Sequence, residues 1–349
     1  MDVSALIPPA GTLPASPMLF EILLWATFAT HLLFMNAALG LCLIGTALGA
    51  FPGGAWGMAR PAGRLPNILG LTINLGVAPL LFAQVLYGRF LYVSAGLLGP
   101  YWFGLILVVI LVYMLAYRQK KASAPGGGSG MWAVMSLGLL YAAMVQTQSA
   151  LLVIKPGLWA GYFRSPSGLV LAWGEATLIP RWLHFVLASL AVGGLLLAMT
   201  GRKKAKAGDP EASELVRQGM AWFSWATLAQ VLDGVVFLVC LPREVMLDLM
   251  GGDPLATALF IAGLALAGLT LALGFKAKVM AAAGSLVATV AVMVVIREVV
   301  RRAYLKPYFD PSGLKVVSEP STVVLFFVCL GLALLGVWWA VGHKAEVRS

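Results

Sequence analysis

The chain has 349 residues, of which 60% are hydrophobic and only 11% charged, with a formal net charge of +10. That composition excludes a soluble globular fold. Cys42, Cys240 and Cys329 are scattered in or at the ends of apolar segments, and no C-x-x-C-H occurs, so the chain attaches no c-type heme itself; a Walker A loop, a Rossmann glycine pattern and H-E-x-x-H are likewise absent from the sequence.

In chain order, apolar segments fall at residues 17–50, 67–97, 101–117, 131–154, 179–200, 218–241, 254–274, 277–299 and 320–341. A helix needs roughly 20 residues to cross the hydrocarbon. Most segments reach that length, the first two exceed it, and the third barely does. The prediction is an all-α polytopic membrane protein with nine transmembrane helices. Residues 1–16 lack a basic n-region, so no cleavable signal peptide is expected. The glycine-rich stretch 124–130 reads as a flexible linker.

Loop charge sets the orientation. With the N-terminus outside, the inside loops and tail carry 14 Lys and Arg against 9 outside, Arg89 lying within the second helix. Five of the outside residues, Arg297, Arg301, Arg302, Lys306 and Lys315, surround the end of the eighth helix. The expectation is N-out and C-in. The positive charge then serves topology, with no call for nucleic acid, and the cluster on the eighth helix reads as functional.

Polar residues inside the segments concentrate toward the outer face, and such groups are costly in hydrocarbon and usually functional. Gln84 and Arg89 fall in the outer half of the second helix, Gln146 and Gln148 in that of the fourth, Gln230 and Asp233 in that of the sixth. Arg181 and His184 open the fifth helix; Arg297 and Glu298 close the eighth. His31 lies about 10–15 Å down the first. The runs HLLFMNAALG (31–40) and HFVLASLAVG (184–193) each place a Gly nine residues after a His, with small residues between. This shared spacing suggests two related four-helix bundles, residues 1–155 and 156–305, followed by a ninth helix and tail, 306–349.

Two readings stand for the histidines. Each is an axial ligand to a heme b iron, with Arg181, one turn outward from His184, suited to a propionate; or each hydrogen-bonds across helices. Met35 leaves the same helix face as His31, so the two cannot grip opposite sides of one iron, and Met35 reads as packing. Asp233 and Gln230 read as part of a proton path or as interhelical hydrogen bonds. Glu298 can pair with Arg301 and Arg302, three and four residues on, or it can approach an iron while Arg301 holds a propionate. Trp102, Trp222, Trp225, Trp338 and Trp339 read as interface anchors.

These residues carry a resemblance. The chain resembles subunit I of the cytochrome bd quinol oxidases, a family with nine helices, N-terminus outside. THLLFMNAALGLCL (30–43) is similar to the family's first-helix His-x-x-Phe run, whose His ligates heme d. RWLHFVLASLAVGG (181–194) is similar to its fifth-helix run, whose His ligates the low-spin heme b. EVVRRAY (298–304) stands where the family has Glu-Val-Gly-Arg-Gln-Pro-Trp, which implies Glu298 as the high-spin heme b ligand, with Arg301 and Tyr304 at the Arg and Trp positions. Gln84 matches the family's second-helix Gln. Three features depart from the family. Residues 100–117 contain no acid, where the oxidases carry two Glu; residues 254–273 contain no Met, where the low-spin heme takes its second ligand, leaving Met293 as the outer-half substitute; and the quinol loop shrinks to 241–253.

The resemblance implies a subunit of a respiratory complex in the bacterial cytoplasmic membrane. It would hold one to three b hemes through His31, His184, Glu298, Arg301, Arg181, Gln84, Arg89 and Arg297, and pass electrons between quinone and a partner such as a multiheme c-type cytochrome, within a quinol:cytochrome c-type oxidoreductase. The missing acids imply no oxygen reduction. Two alternatives stay open: a heme-free scaffold beside a second bd-like subunit, and a transporter.

Overall fold

The structure, a computed structural model, describes residues 3–49, 59–121, 129–164, 166–210 and 212–346. Most of the expected 124–130 linker, and Arg348 of the inside charge count, lie outside them. The described residues form ten α-helices: α1 Pro17–Gly49, α2 Ala59–Leu97, α3 Gly99–Lys121, α4 Ser129–Ile154, α5 Leu178–Ala205, α6 Ala212–Cys240, the short α7 Arg243–Leu247, α8 Pro254–Phe275, α9 Val279–Leu305 and α10 Pro320–Glu346. Nine of these, all but α7, are long and apolar enough to span a membrane. The protein is an all-α polytopic membrane protein. The third span, α3, is 23 residues rather than the barely sufficient stretch its apolar core suggested, because Arg118, Lys120 and Lys121 extend its last turn, where cations complement the helix dipole.

Helix ends follow local chemistry. Proline opens α1, α8 and α10, where its missing N–H costs nothing. Asp253 caps α8 by accepting from the Ala256 N–H at 2.7 Å. Within α2, Pro66 and Pro79 each remove a helical donor, and the backbone leaves helical geometry at Tyr87 (φ −125°, ψ 18°).

Packing is set by where the backbones can approach. The closest approach is between α1 and α5. A Cβ on Gly193 would lie 2.6 Å from the Gly40 carbonyl carbon, and one on Gly40 would land on the Ser189 carbonyl. One turn up the same seam, Ser189 Oγ lies 3.0 Å from Asn36 Oδ1. Small residues make such contact possible, and in lipid it is packing, not the hydrophobic effect, that holds helices together. The α5–α6 contact uses the same device through Gly194, Gly201 and Gly219, each facing backbone of the other helix. α2, α3 and α4 gather beside α1, while α6, α8 and α9 gather beside α5, with α9 also reaching α1. α10 is exposed along almost all of its described length, touching α2 through Phe82 and Phe326, ring centroids 6.0 Å apart.

The end of the bundle at which α1 begins is its upper end, and it is stitched. The Leu13 N–H donates to Lys315 O and the Val317 N–H to Leu13 O, both at 2.8 Å, so the segment before α1 pairs with the segment before α10. Between α4 and α5, Trp159 Nε1 donates to Leu152 O at 2.8 Å and Lys155 pairs with Glu175. Phe90, Leu151, Leu152, Leu178 and Leu305 form a fully buried core beneath this cover.

Candidate functional site

The two histidines sit nine residues before the glycines that cross, at the same level, about 14 Å above the crossing. Nine residues at 3.6 per turn rotate a side chain by roughly 180°. Each imidazole therefore points away from the α1–α5 seam, His31 toward α2 and His184 toward α6. The bonds agree: His31 Nδ1 lies 3.0 Å from Thr72 O of α2, and His184 Nδ1 lies 3.1 Å from Asp233 Oδ2 of α6. Each ring also rests in a glycine notch. A Cβ on Gly76 would meet His31 Cε1 at 2.8 Å, and one on Gly234 would meet His184 Cε1 at 3.6 Å.

A phenylalanine and an arginine complete each histidine site. Phe28 lies 6.5 Å from the His31 ring, and the Arg297 guanidinium stands 4.7 Å over Phe28. Phe237 lies 6.5 Å from the His184 ring, and the Arg181 guanidinium stands 5.0 Å over Phe237. Neither arginine hydrogen-bonds a carboxylate among the described residues. Arg181 is only 9% exposed, and its Nε and Nη2 are buried without a hydrogen-bond partner there. Asp233, expected on a proton path or as a helix tie, is the anchor of His184.

Above and between these sites lies a charged cluster. Glu298, 3% exposed, accepts a short hydrogen bond from Tyr87 Oη and pairs with Arg301 Nη1 at 3.0 Å. The Arg301 guanidinium also stands 4.6 Å over the Tyr87 ring. The sequence pattern allowed Arg302 to share Glu298; instead Arg302 reaches across to Glu21 of α1. Glu21 is 1% exposed, and its Oε2 has no hydrogen-bond partner among the described residues. The cluster holds four arginines, with Arg181 and Arg297 counted, against the buried carboxylates Glu298 and Glu21 and the outlying Asp310, which stands within electrostatic reach of Arg302. Arg181, Arg297 and Arg301 are close enough to repel one another. Desolvated charge of one sign is costly unless paired.

The remaining expected residues go elsewhere. Gln84 and Arg89 line a separate cavity at the upper end of α2. Gln148 is structural, accepting from the Ala172 N–H at 2.8 Å, and Gln146 is exposed. Met293 rests its methyl against Gly263 of α8. Of the five tryptophans expected as interface anchors, Trp225, Trp338 and Trp339 are exposed, whereas Trp102 and Trp222 are partly buried and pack against the core. Among the described residues, no group of three or more His, Cys, Asp and Glu is placed to hold a metal ion, so an iron here would need a porphyrin to supply most of its ligands.

Two residues of the cluster, Glu21 and Tyr87, lie outside the polar layer that the sequence pattern singles out. Glu21 carried a signal, being the one acid within 17–49. Tyr87 carried none, since a tyrosine near the end of a span is ordinarily an interface residue. No protein-family model matches the chain, and no curated protein matches it in sequence.

Proposed function

We propose that this chain is a redox subunit of a membrane electron-transfer complex, akin to subunit I of the cytochrome bd quinol oxidases, holding b-type heme at His184 and at His31. The observation that carries the proposal is the orientation of the two imidazoles. Each has Nδ1 anchored on the neighbouring helix, which leaves Nε2 without a hydrogen bond among the described residues. That is how a metal-ligating histidine is held: one nitrogen fixed, the other presented. Beside each stands an arginine with no carboxylate partner, suited to a heme propionate. Arg181 and Arg297 fit the group on the criterion of unpaired, desolvated guanidinium. Bound heme would supply one-electron chemistry; the chain's part is to orient the imidazoles, hold the propionates and exclude water.

On this reading Glu298 balances charge rather than ligating iron, because both of its oxygens are engaged, by Tyr87 and by Arg301. α3 carries no acid, so oxygen reduction of the bd type is not part of the proposal. The chain lies N-out and C-in in the bacterial cytoplasmic membrane, and it exchanges electrons between quinone and an outward-facing c-type cytochrome.

The occupied Glu298 also favours a second reading, a heme-free scaffold that binds a redox partner. A pyridine hemochromogen assay on the purified chain separates the two. The heme reading expects b-type absorbance, and His184→Ala should remove a low-spin component from the reduced-minus-oxidised spectrum. Wild-type protein without b-type absorbance leaves the scaffold.

A further inference from the structure

The cavity beside Gln84 and Arg89 is not part of the histidine sites. Phe309 stands between: its ring packs edge-on against Tyr87 of the charged cluster at 5.9 Å on one side, and carries the Arg89 guanidinium at 4.3 Å on the other. The cavity, about 340 Å³, is roofed by the Pro8–Thr12 backbone and walled by α2. Arg89 brings a positive charge to it. That guanidinium donates weakly to Pro8 O at 3.3 Å, its Nε is buried without a hydrogen-bond partner, and it pairs with no carboxylate among the described residues. Gln84 adds an amide to the same wall.

Below the cavity the α2 surface is apolar and uncovered. Val77, Leu81 and Val85 follow one another at four-residue spacing on one face, 51%, 53% and 41% exposed. A polar, cationic cavity at the end of a span, continuous with an exposed apolar stripe running into the membrane, matches a molecule with an anionic head and long apolar tails. The Phe309 and Phe90 rings face the Arg89 guanidinium, but a neutral head would leave it without a counter-ion. Free phosphate would leave the stripe unused.

We infer that this cavity is a binding site for an anionic phospholipid, its phosphate against Arg89 and Gln84 and an acyl chain along Val85, Leu81 and Val77. This site is independent of whether the chain holds heme. It ties a lipid to the N-terminal segment, which Arg89 already touches through Pro8 and which is paired through Leu13 to the segment before α10.

The test is the melting temperature of the full chain in a zwitterionic detergent, with dioleoylphosphatidylglycerol, dioleoylphosphatidylcholine, inorganic phosphate or a short-chain quinone added. Phosphatidylglycerol should raise the midpoint by roughly 3 °C more than phosphatidylcholine. Arg89→Gln should abolish that difference. Gly88→Leu should abolish it too, with the charge retained: its Cβ meets only the Tyr92 ring, at 3.3 Å, and its side chain fills the cavity. Arg118→Gln, at the opposite end of α3, should keep it. Equal effects of the two lipids, or a preference that survives both Arg89→Gln and Gly88→Leu, overturns the proposal. So does inorganic phosphate matching the lipid effect, which would mark a free-anion site. Stabilisation by the quinone alone, lost in Arg89→Gln, overturns it in favour of a quinone pocket.

Discussion

Replacing Gly40 or Gly193 by alanine tests the seam that sets the two histidine sites at one level. A Cβ on Gly193 lies 2.6 Å from the Gly40 carbonyl carbon and 2.9 Å from its Cα; one on Gly40 strikes the Ser189 carbonyl and stands 3.0 Å from Gly193 Cα. All of these atoms are backbone, so no side chain can swing aside. Carbon atoms rest at about 3.5–4.0 Å, so Gly193→Ala requires α1 and α5 to part by about 1 Å, and Gly40→Ala, whose Cβ would land on the Ser189 carbonyl oxygen, requires more. Parting loosens Asn36, Ala37 and Ser189 one turn away, all buried. Overpacking of this kind costs about 1–3 kcal/mol, and the better helix propensity of alanine returns up to about 1 kcal/mol. Each single substitution should therefore destabilise by about 1–2 kcal/mol. The double substitution widens a gap that either single has already opened, so its cost should fall short of the sum by at least about 0.5 kcal/mol. Unfolding in mixed micelles, followed by tryptophan fluorescence, reads both quantities. Gly268→Ala in α8, where no atom lies within 4 Å of the new Cβ, serves as the control and should be neutral or stabilising. Single substitutions as benign as this control, or a strictly additive double, would refute the reasoning.

Asp233→Ala removes the anchor of His184 and should weaken heme retention there about 10–100-fold, measured by heme loss to apomyoglobin; unchanged retention would mean that Asp233 does not orient the ring. Glu298→Gln strips Arg301 of its carboxylate and should cost about 3–5 kcal/mol of stability, against about 1.5–3 kcal/mol for Tyr87→Phe, which removes one hydrogen bond to the charge; a thermal melt showing the reverse order would contradict the assignment. Glu21→Gln should destabilise through Arg302 and couple to Tyr87→Phe by about 0.5 kcal/mol or more, because Arg302, the partner of Glu21, also stands within electrostatic reach of Tyr87 and Glu298; strictly additive losses in a double-mutant cycle would show two networks instead of one. Membranes carrying only this complex should show no cyanide-resistant quinol oxidation, and oxygen uptake abolished by His31→Ala would overturn that expectation.

The spans were legible because a run of about 20 apolar residues is decided by composition and needs no partner. The residues that hold the site together were legible as types and not as pairs. Asp233 stood out as an acid in hydrocarbon, yet only the register of α5 on α6 aims it at His184 Nδ1. Arg302 sits four residues from Glu298, a spacing that favours pairing on one helix face, but in the fold α1 brings Glu21 within reach, and Tyr87 fills the place at Glu298. Gln148 looked like part of the same polar layer and proves to hold a loop. The nine-residue His-to-Gly spacing was visible in both halves; what it meant was not, because nothing in one helix says that its glycine will meet the matching glycine of another.

That meeting has a geometric consequence. Asn36 meets Ser189 and Gly40 meets Gly193, and in each case the partner lies 153 residues further along the chain, as does His184 from His31. A segment that packs against its own counterpart, with helices running in the same direction, does so across a local two-fold axis along the bundle. Such an axis relates His31 to His184, on opposite flanks and at equal depth, while the arginine and phenylalanine beside each come from non-corresponding helices, α9 and α1 at His31 and α5 and α6 at His184. On the reading proposed above, the two hemes would then lie side by side across the seam, and electron transfer between them would run in the plane of the membrane. The chain by itself would move no charge across the bilayer, and any coupling to the membrane potential would have to come from the protons taken up or released at a partner's site.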